Sequence, residues 1–390
     1  MQSELKTSTA ASLLEYFSAR ETEALSLIRR LVEIESPSGD VEGSRTVVDL
    51  LVEAVSKIDA ITSIERIESH NYGEHLRVRA FGGSEQAAET ILLVGHTDTV
   101  HARGSLSERP WRVEDNRIYA PGIFDMKANC ALALETLRAC SVLKLKPRGE
   151  VVLLLTCDEE TGSATGRALI EAEARDARCS LVLEPPASGG RVKTGRKGTG
   201  IFEMEAKGRA AHAGLEPEKG VSAILEMARQ IERLHALNDA ARGISVNVGV
   251  VSGGTRSNVV AAAARAEIDL RFSLTDEGQR VEDVILRSQP FDERVELVVQ
   301  GGINRPPLER NEKVLSLYSQ AKTVAATLGF ELGETQVGGA SDGNFVAALG
   351  VPVLDGLGID GDGAHAAHEH IIVDDLARRG ALIAGLVISL

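Results

Sequence analysis

Apolar residues recur at helical spacing over 21–34, where Leu25, Ile28, Leu31 and Val32 share one face, and Pro37 with Gly39 ends the run. A second helix is expected over 43–57. The pattern then alternates: Leu76, Val78 and Ala80 mark a half-buried strand. The runs ILLVG at 91–95 and VVLLL at 151–155 are apolar throughout, the pattern of strands covered on both faces. Helices expected over 127–140 and 164–174 separate these strands from one another and from a short strand at 181–184. Strand alternating with helix predicts an α/β fold, a mostly parallel sheet inside a three-layer α/β sandwich.

After Gly195 the rhythm changes. Phe202, Met204 and Ala206 alternate along a strand, and a helix is expected over 220–236. Strands over 244–251 and 266–272, a helix over 277–288 and a strand over 295–300 complete the segment. The order βαββαβ is that of a ferredoxin-like unit. Beyond Gly301-Gly302 and Pro306-Pro307 long helices resume, over 311–328 and 374–389. The simplest organisation is an α+β domain at 195–302 inserted into a larger domain made of 1–194 and 303–390.

Composition narrows the class. With 43% hydrophobic and 26% charged residues in 390, the chain has the balance of a folded globular protein. A net charge of −14 argues against nucleic acid or an anionic membrane as the main partner. No apolar run approaches the roughly 20 residues that span a bilayer. The N-terminal stretch lacks the basic-then-apolar pattern of a secretory signal, so a cytoplasmic location is expected. The cysteines Cys130, Cys140, Cys157 and Cys179 show no paired zinc or redox spacing.

In an open α/β sheet, ligands gather beyond the carboxyl ends of the parallel strands. The residues immediately after each buried run are rich in potential metal ligands. His96-Thr97-Asp98 comes after the first, Asp158-Glu159-Glu160 after the second, and Glu184 closes the short third strand. Asp125, in GIFDMK, stands at the mouth of a loop, and GLGIDGDGAHAAHEH near the C-terminus brings His365, His368 and His370. One such cluster is as often a helix cap; three strand ends each supplying a His or carboxylate are hard to attribute to capping. His96, His365, Asp125, Glu160 and Glu184 suit two divalent ions if one carboxylate bridges, since two ions balance three carboxylates and a hydroxide. Imidazole with carboxylate at an open site suits zinc, with cobalt or manganese as substitutes. Asp98 lies two residues after His96, on the same side of extended backbone, and can orient the imidazole. Glu159 is left over as a carboxylate beside the attacking water, the place for a general base.

The motifs GHTDTV, GIFDMK, TCDEETG, LEPP, GRAAHAG, GGASDGNF and GAHAAHEH resemble those of the glutamate carboxypeptidase/aminoacylase family of co-catalytic zinc exopeptidases and amidohydrolases. The match runs in order over nearly the whole chain. The resemblance implies that His96 and Glu184 hold one zinc, Glu160 and His365 the other, and Asp125 bridges, giving two zinc ions per chain. It implies Glu159 as base, Asp98 as partner of His96, and a cis peptide bond between Asp125 and Met126. The family's pattern of His followed four residues later by Glu favours His365, through Glu369, over its neighbour His368. The inserted domain is implied to be a lid that forms a homodimer, with His212 crossing to bind the scissile carbonyl oxygen in the partner's site. Arg271, Asn258 and the loop containing Gly339 and Ser341 are implied to grip the substrate's carboxylate end. His70, His75, His101 and His235 read as surface residues.

The expected reaction is hydrolysis of an amide bond next to a free carboxylate, in a small peptide or N-acyl amino acid. In the glutamate carboxypeptidase branch that the chain resembles, a basic residue shortly after the metal-binding Glu reads a glutamate side chain; Arg191 and Lys193, shortly after Glu184, therefore favour release of an acidic C-terminal residue. The competing reading is an N-acyl-amino-acid deacylase of acetylornithine or succinyl-diaminopimelate type. A dimetal phosphoesterase and an inactive binding homologue rank lower: the first leaves the Glu159–Glu160 pair unexplained, and the second conflicts with a fully occupied set of chemical positions.

Overall fold

The two wholly apolar runs become the centre of a six-stranded sheet. In this computed structural model, which describes residues 5–82 and 90–390, the strand order is Ile61–Ser69, Gly73–Ala80, Val151–Thr156, Thr90–His96, Ala177–Val182, Val353–Leu354. The last four strands run parallel, and the first two form an antiparallel hairpin at the edge. A connection of three residues permits only that pairing. Ile91, Leu93, Leu153, Leu155 and Leu181 point into the larger core, against helices Glu21–Val32, Ala128–Val142 and Asp375–Ser389. The alternate residues Leu92, Val94, Val152, Leu154 and Val182 are equally buried and turn to the other face, where helices Gly166–Arg175 and Gly343–Ala348 pack. Two buried faces are why these strands carry no polar alternation.

The chain divides into two compact units, one of Met1–Thr194, Arg310–Val337 and Ser341–Leu390, the other of Gly195–Glu309 with Gly338–Ala340. In the second, four antiparallel strands are ordered Ser245–Gly253, Ala263–Phe272, Gly198–Lys207, Glu296–Arg305. Helices Ala223–His235 and Thr275–Leu286 cover one face through Met227, Leu234, Val281 and Ile285, packed on Phe202, Met204, Ile268 and Leu270. The final strand runs to Arg305, and a bridge between Arg196 and Leu308 comes after it, so this unit extends to Glu309.

Helix Thr7–Ala19 and strand Ile61–Ser69, whose exposed polar positions mask its pairing, are among the elements without a counterpart in the sequence pattern. A small sheet ordered Gly361–Asp362, His370–Ile372, Arg117–Tyr119, Arg112–Glu114 is likewise new. It ties the segment containing His365 to the segment that leads into Asp125. Among the described residues, no helix is long and apolar enough to cross a membrane.

Candidate metal centre

His96 is the last residue of the central strand and pairs with Thr156, the last of its neighbour. On the other side Leu183 N donates to Val94 O at 2.9 Å, which brings Glu184 alongside. The turn Cys157–Glu160 leaves the first flank and Glu184 the second, so parallel register alone gathers a His and three carboxylates. Asp125 arrives from the helix side, on the turn before Ala128–Val142, across a cis bond to Met126. The Met126 sulfur accepts the His96 N–H at 3.3 Å. Glycine at position 95 leaves room for this close approach, since a Cβ there would lie 2.5 Å from Met126 Cε and displace it.

Asp125 turns one oxygen to each of two imidazoles. Its Oδ1 is 3.1 Å from His96 Nε2, and its Oδ2 is 3.3 Å from His365 Nε2. Glu184 Oε1 stands 3.4 Å from His96 Nε2, and Glu160 Oε2 stands 3.1 Å from His365 Nε2. The donor atoms of His96, Glu159 and Glu184 lie within 4.8 Å of one another, as do those of His96, Asp125 and Glu160. His368 is exposed and His370 stacks on Tyr119 with ring centroids 4.9 Å apart, so His365 is the histidine of this segment that meets the carboxylates.

The donor set fits a pair of cations. His96 Nδ1 faces the Asp98 carbonyl at 3.0 Å and its carboxylate at 3.4 Å, both acceptors, so Nδ1 carries the proton. Nε2 then presents its lone pair to Asp125 and Glu184, an arrangement that requires either an extra proton or a metal ion. Burial opposes charge on His96, yet hydrogen bonds to Asp125, Asp98 and Glu184 raise its pKa well above the usual imidazole value. His365 is pushed up to about 10 by its hydrogen bonds to Asp125 and Glu160. Burial pushes Asp125 up, but His365 and His96 hold it well below the ordinary carboxylate range. Glu160 is raised, chiefly by burial, and its Oε1 is buried with no hydrogen-bond partner. A buried carboxylate oxygen without a donor is costly unless a cation takes that place.

Asp98 organises both flanks. It accepts from Ser38 Oγ at 2.6 Å and from the backbone N–H groups of Glu159 and Glu160, each at 3.2 Å. Burial raises its pKa, but the His96 imidazole beside it leaves it lowered overall. Arg191 is exposed on the turn after Glu184, its Nε donating to Ser188 O at 3.0 Å. Ser341 is fully buried with its hydroxyl given to Asp355 at 2.6 Å, so its side chain shapes its own loop. In the second unit, His212 Nδ1 accepts from Gly214 N and Leu215 N, each at 3.1 Å, which leaves Nε2 as a hydrogen-bond donor. Asn258 is adjacent, its carbonyl accepting from Ala213 N at 3.0 Å. Arg271 is paired with Asp269 at 2.8 Å, and the Gly339 carbonyl accepts from Arg196 at 3.2 Å.

Two histidines expected at the surface are not there. His75 is 1% exposed, between Thr165 Oγ1 at 3.0 Å and Cys157 N at 3.2 Å, behind the turn that carries Glu159. His101 lies against Glu369. Hydrogen bonds between segments far apart in the chain leave no periodic mark in a sequence.

Residues 92–389 match the Peptidase family M20/M25/M40. Carboxypeptidase G2 from Pseudomonas sp. (strain RS-16) is 29% identical over 378 residues, 93% of this chain and 88% of that one. Acetylornithine deacetylase from Myxococcus xanthus is 29% identical over 330 residues, 78% of this chain and 81% of that one. The crystal structure of aminopeptidase PepT from Bacillus cereus has the same fold, with a TM-score of 0.74 at 21% identity over 95% of this chain and 98% of that one. With the family match spanning most of the sequence and a convergent ligand set at the strand ends, the chain belongs to the Peptidase family M20/M25/M40 and is a metal-dependent hydrolase.

Proposed function

We propose that the chain is a two-zinc exopeptidase of carboxypeptidase type, releasing a C-terminal acidic amino acid from a small peptide or N-acyl substrate. The observation that carries this reading is Asp125, which offers one oxygen to each of two imidazole–carboxylate half-sites. His96 and Glu184 belong to one half-site, and Glu160 and His365 to the other. Two divalent ions held there, zinc or in its place cobalt or manganese, supply Lewis acidity that polarises a scissile carbonyl and acidifies an attacking water. Glu159 accepts the proton of that water and returns it to the departing amine. Asp98 keeps the His96 imidazole oriented and the Glu159 turn in place. His212, with Nε2–H free to donate, stabilises the carbonyl oxygen as charge develops on it, in the site of a second copy of the chain.

The homodimer in this reading forms through the inserted unit, whose edge strand Ser245–Gly253 exposes Val250 and Val251 and whose helix Ala223–His235 exposes Ile224 and Leu225. Arg271, Asn258 and the Gly339 loop serve the substrate's carboxylate end, and Arg191 its acidic side chain. The four cysteines are buried and form no disulfide among the described residues, which accords with a cytoplasmic enzyme.

Likeness to carboxypeptidase G2 over 93% of the chain supports the carboxypeptidase reading. Likeness to acetylornithine deacetylase favours a second reading, deacylation of an N-acyl amino acid. Hydrolysis rates of the zinc-loaded protein on N-acyl and N-aminoacyl glutamates, beside ornithine and hydrophobic analogues, separate the two. Glutamate substrates are expected to give the highest kcat/KM, and a preference for N-acetylornithine would establish the second reading.

A further inference from the structure

One carboxylate collects the backbone of the loop that carries Asp125. Gly122 N donates to Glu369 Oε2 at 2.8 Å, and Phe124 N and Asp125 N donate to Oε1 at 2.9 and 3.0 Å. Glu369 is 2% exposed. Its fourth donor is His101 Nε2, 2.5 Å from Oε2. Arg109 Nη2 donates to His101 Nδ1 at 3.3 Å, which makes Nε2 the protonated nitrogen, and Arg109 Nη1 reaches the Ala366 carbonyl at 3.4 Å. A buried carboxylate is tolerated when donors surround it, and here three of the four are N–H groups of a single loop.

Glu369 lies four residues beyond His365, in a tight turn. Ala366 N donates to Gly363 O at 2.8 Å, Glu369 N donates to Ala366 O at 3.3 Å, and His365 takes a left-handed backbone with φ 64°. The same turn therefore presents His365 to the carboxylates and fastens the backbone N–H of Asp125. The peptide nitrogen of Asp125 is one torsion from the side chain that spans both half-sites. Ordinary loop packing would not require the carboxylate to bond Asp125 itself.

We propose that Glu369, oriented by His101 and Arg109, is a positioning residue that sets Asp125 against His365 and so fixes the spacing of the two half-sites. This rests on the dimetal reading. Removal of groups that orient metal ligands typically weakens metal binding by about 10–100-fold. Gln at position 369 keeps the size but replaces one acceptor oxygen with a donor that opposes the loop N–H groups.

The test is zinc affinity by chelator competition, with zinc equivalents at saturation, for wild type, Glu369→Gln and His101→Ala, beside melting temperatures with and without zinc. Glu369→Gln is expected to bind zinc about 10–100-fold more weakly, and its zinc-induced rise in melting temperature should shrink more than the metal-free value falls. His101→Ala should shift affinity in the same direction by a smaller factor. A folded Glu369→Gln protein with wild-type zinc affinity would overturn the proposal. Should that variant not fold, unchanged zinc affinity in His101→Ala would overturn it instead. Wild-type protein that takes up no zinc defeats the dimetal reading, whereas two zinc ions in both wild type and Glu369→Gln at equal affinity defeat this proposal alone.

Discussion

Glu159 and His96 are held by one carboxylate. Asp98 accepts the Glu159 N–H at 3.2 Å while facing the His96 imidazole, so the proposed base and the first proposed metal ligand share a support. Glu159→Gln keeps the size and most hydrogen bonding of the side chain but cannot take a proton. Its kcat should fall by roughly 10²–10⁴ with zinc content unchanged. Turnover near wild type would move the base elsewhere. At this scale most of the candidate site was legible. His96, Glu159, Glu160 and Glu184 each lie at or just beyond the end of a buried apolar run, and position after a strand is visible in one dimension. Asp125 and His365 were harder, since both reach the site on loops, and the family-like motif selected His365 over His368. Glu369, His75 and His101 leave no such mark, because each meets backbone or side-chain partners tens to hundreds of residues away.

Central strands announce themselves through composition, whereas edge elements do not. Residues 91–95 and 151–155 were readable because burial on both faces leaves no polar positions. Ile61–Ser69 pairs with a single neighbour and keeps Glu65, Arg66 and Glu68 toward solvent, so it lacks that mark. Turns carry a different constraint. At Gly95 the penultimate position of the central strand admits Met126 against the backbone, and Leu155 Cδ2 also lies 3.2 Å from where a Cβ would stand. Gly95→Ala should therefore cost about 1–3 kcal/mol by overpacking and push Met126 off the His96 N–H. Chemical denaturation measures the first effect, and a fall in zinc affinity reports the second. An unchanged unfolding midpoint would mean the Met126 side chain yields freely.

At the scale of the whole molecule, the βαββαβ order made the inserted unit recognisable, while its end at Glu309 depended on a bridge between Arg196 and Leu308 that spacing does not reveal. The role of His212 is tested by mixing chains. His212→Ala alone should lose roughly 10²–10³ in kcat, as for one lost oxyanion donor. Co-expressed with Glu159→Ala chains, it should regain about a quarter of wild-type activity, because random pairing makes half the dimers mixed and each has one complete site. No recovery in proven mixed dimers would place His212 in its own chain's site or outside catalysis.

The measurement closest to the central claim is a zinc titration of metal-free protein that tracks bound zinc and hydrolysis of an N-acyl glutamate together. Activity should rise to a plateau at two zinc equivalents per chain, and Asp125→Ala should bind neither ion tightly while Glu184→Ala weakens one. Full activity without metal, or an Asp125→Ala protein that still holds two zinc ions, would contradict a bridged dimetal centre.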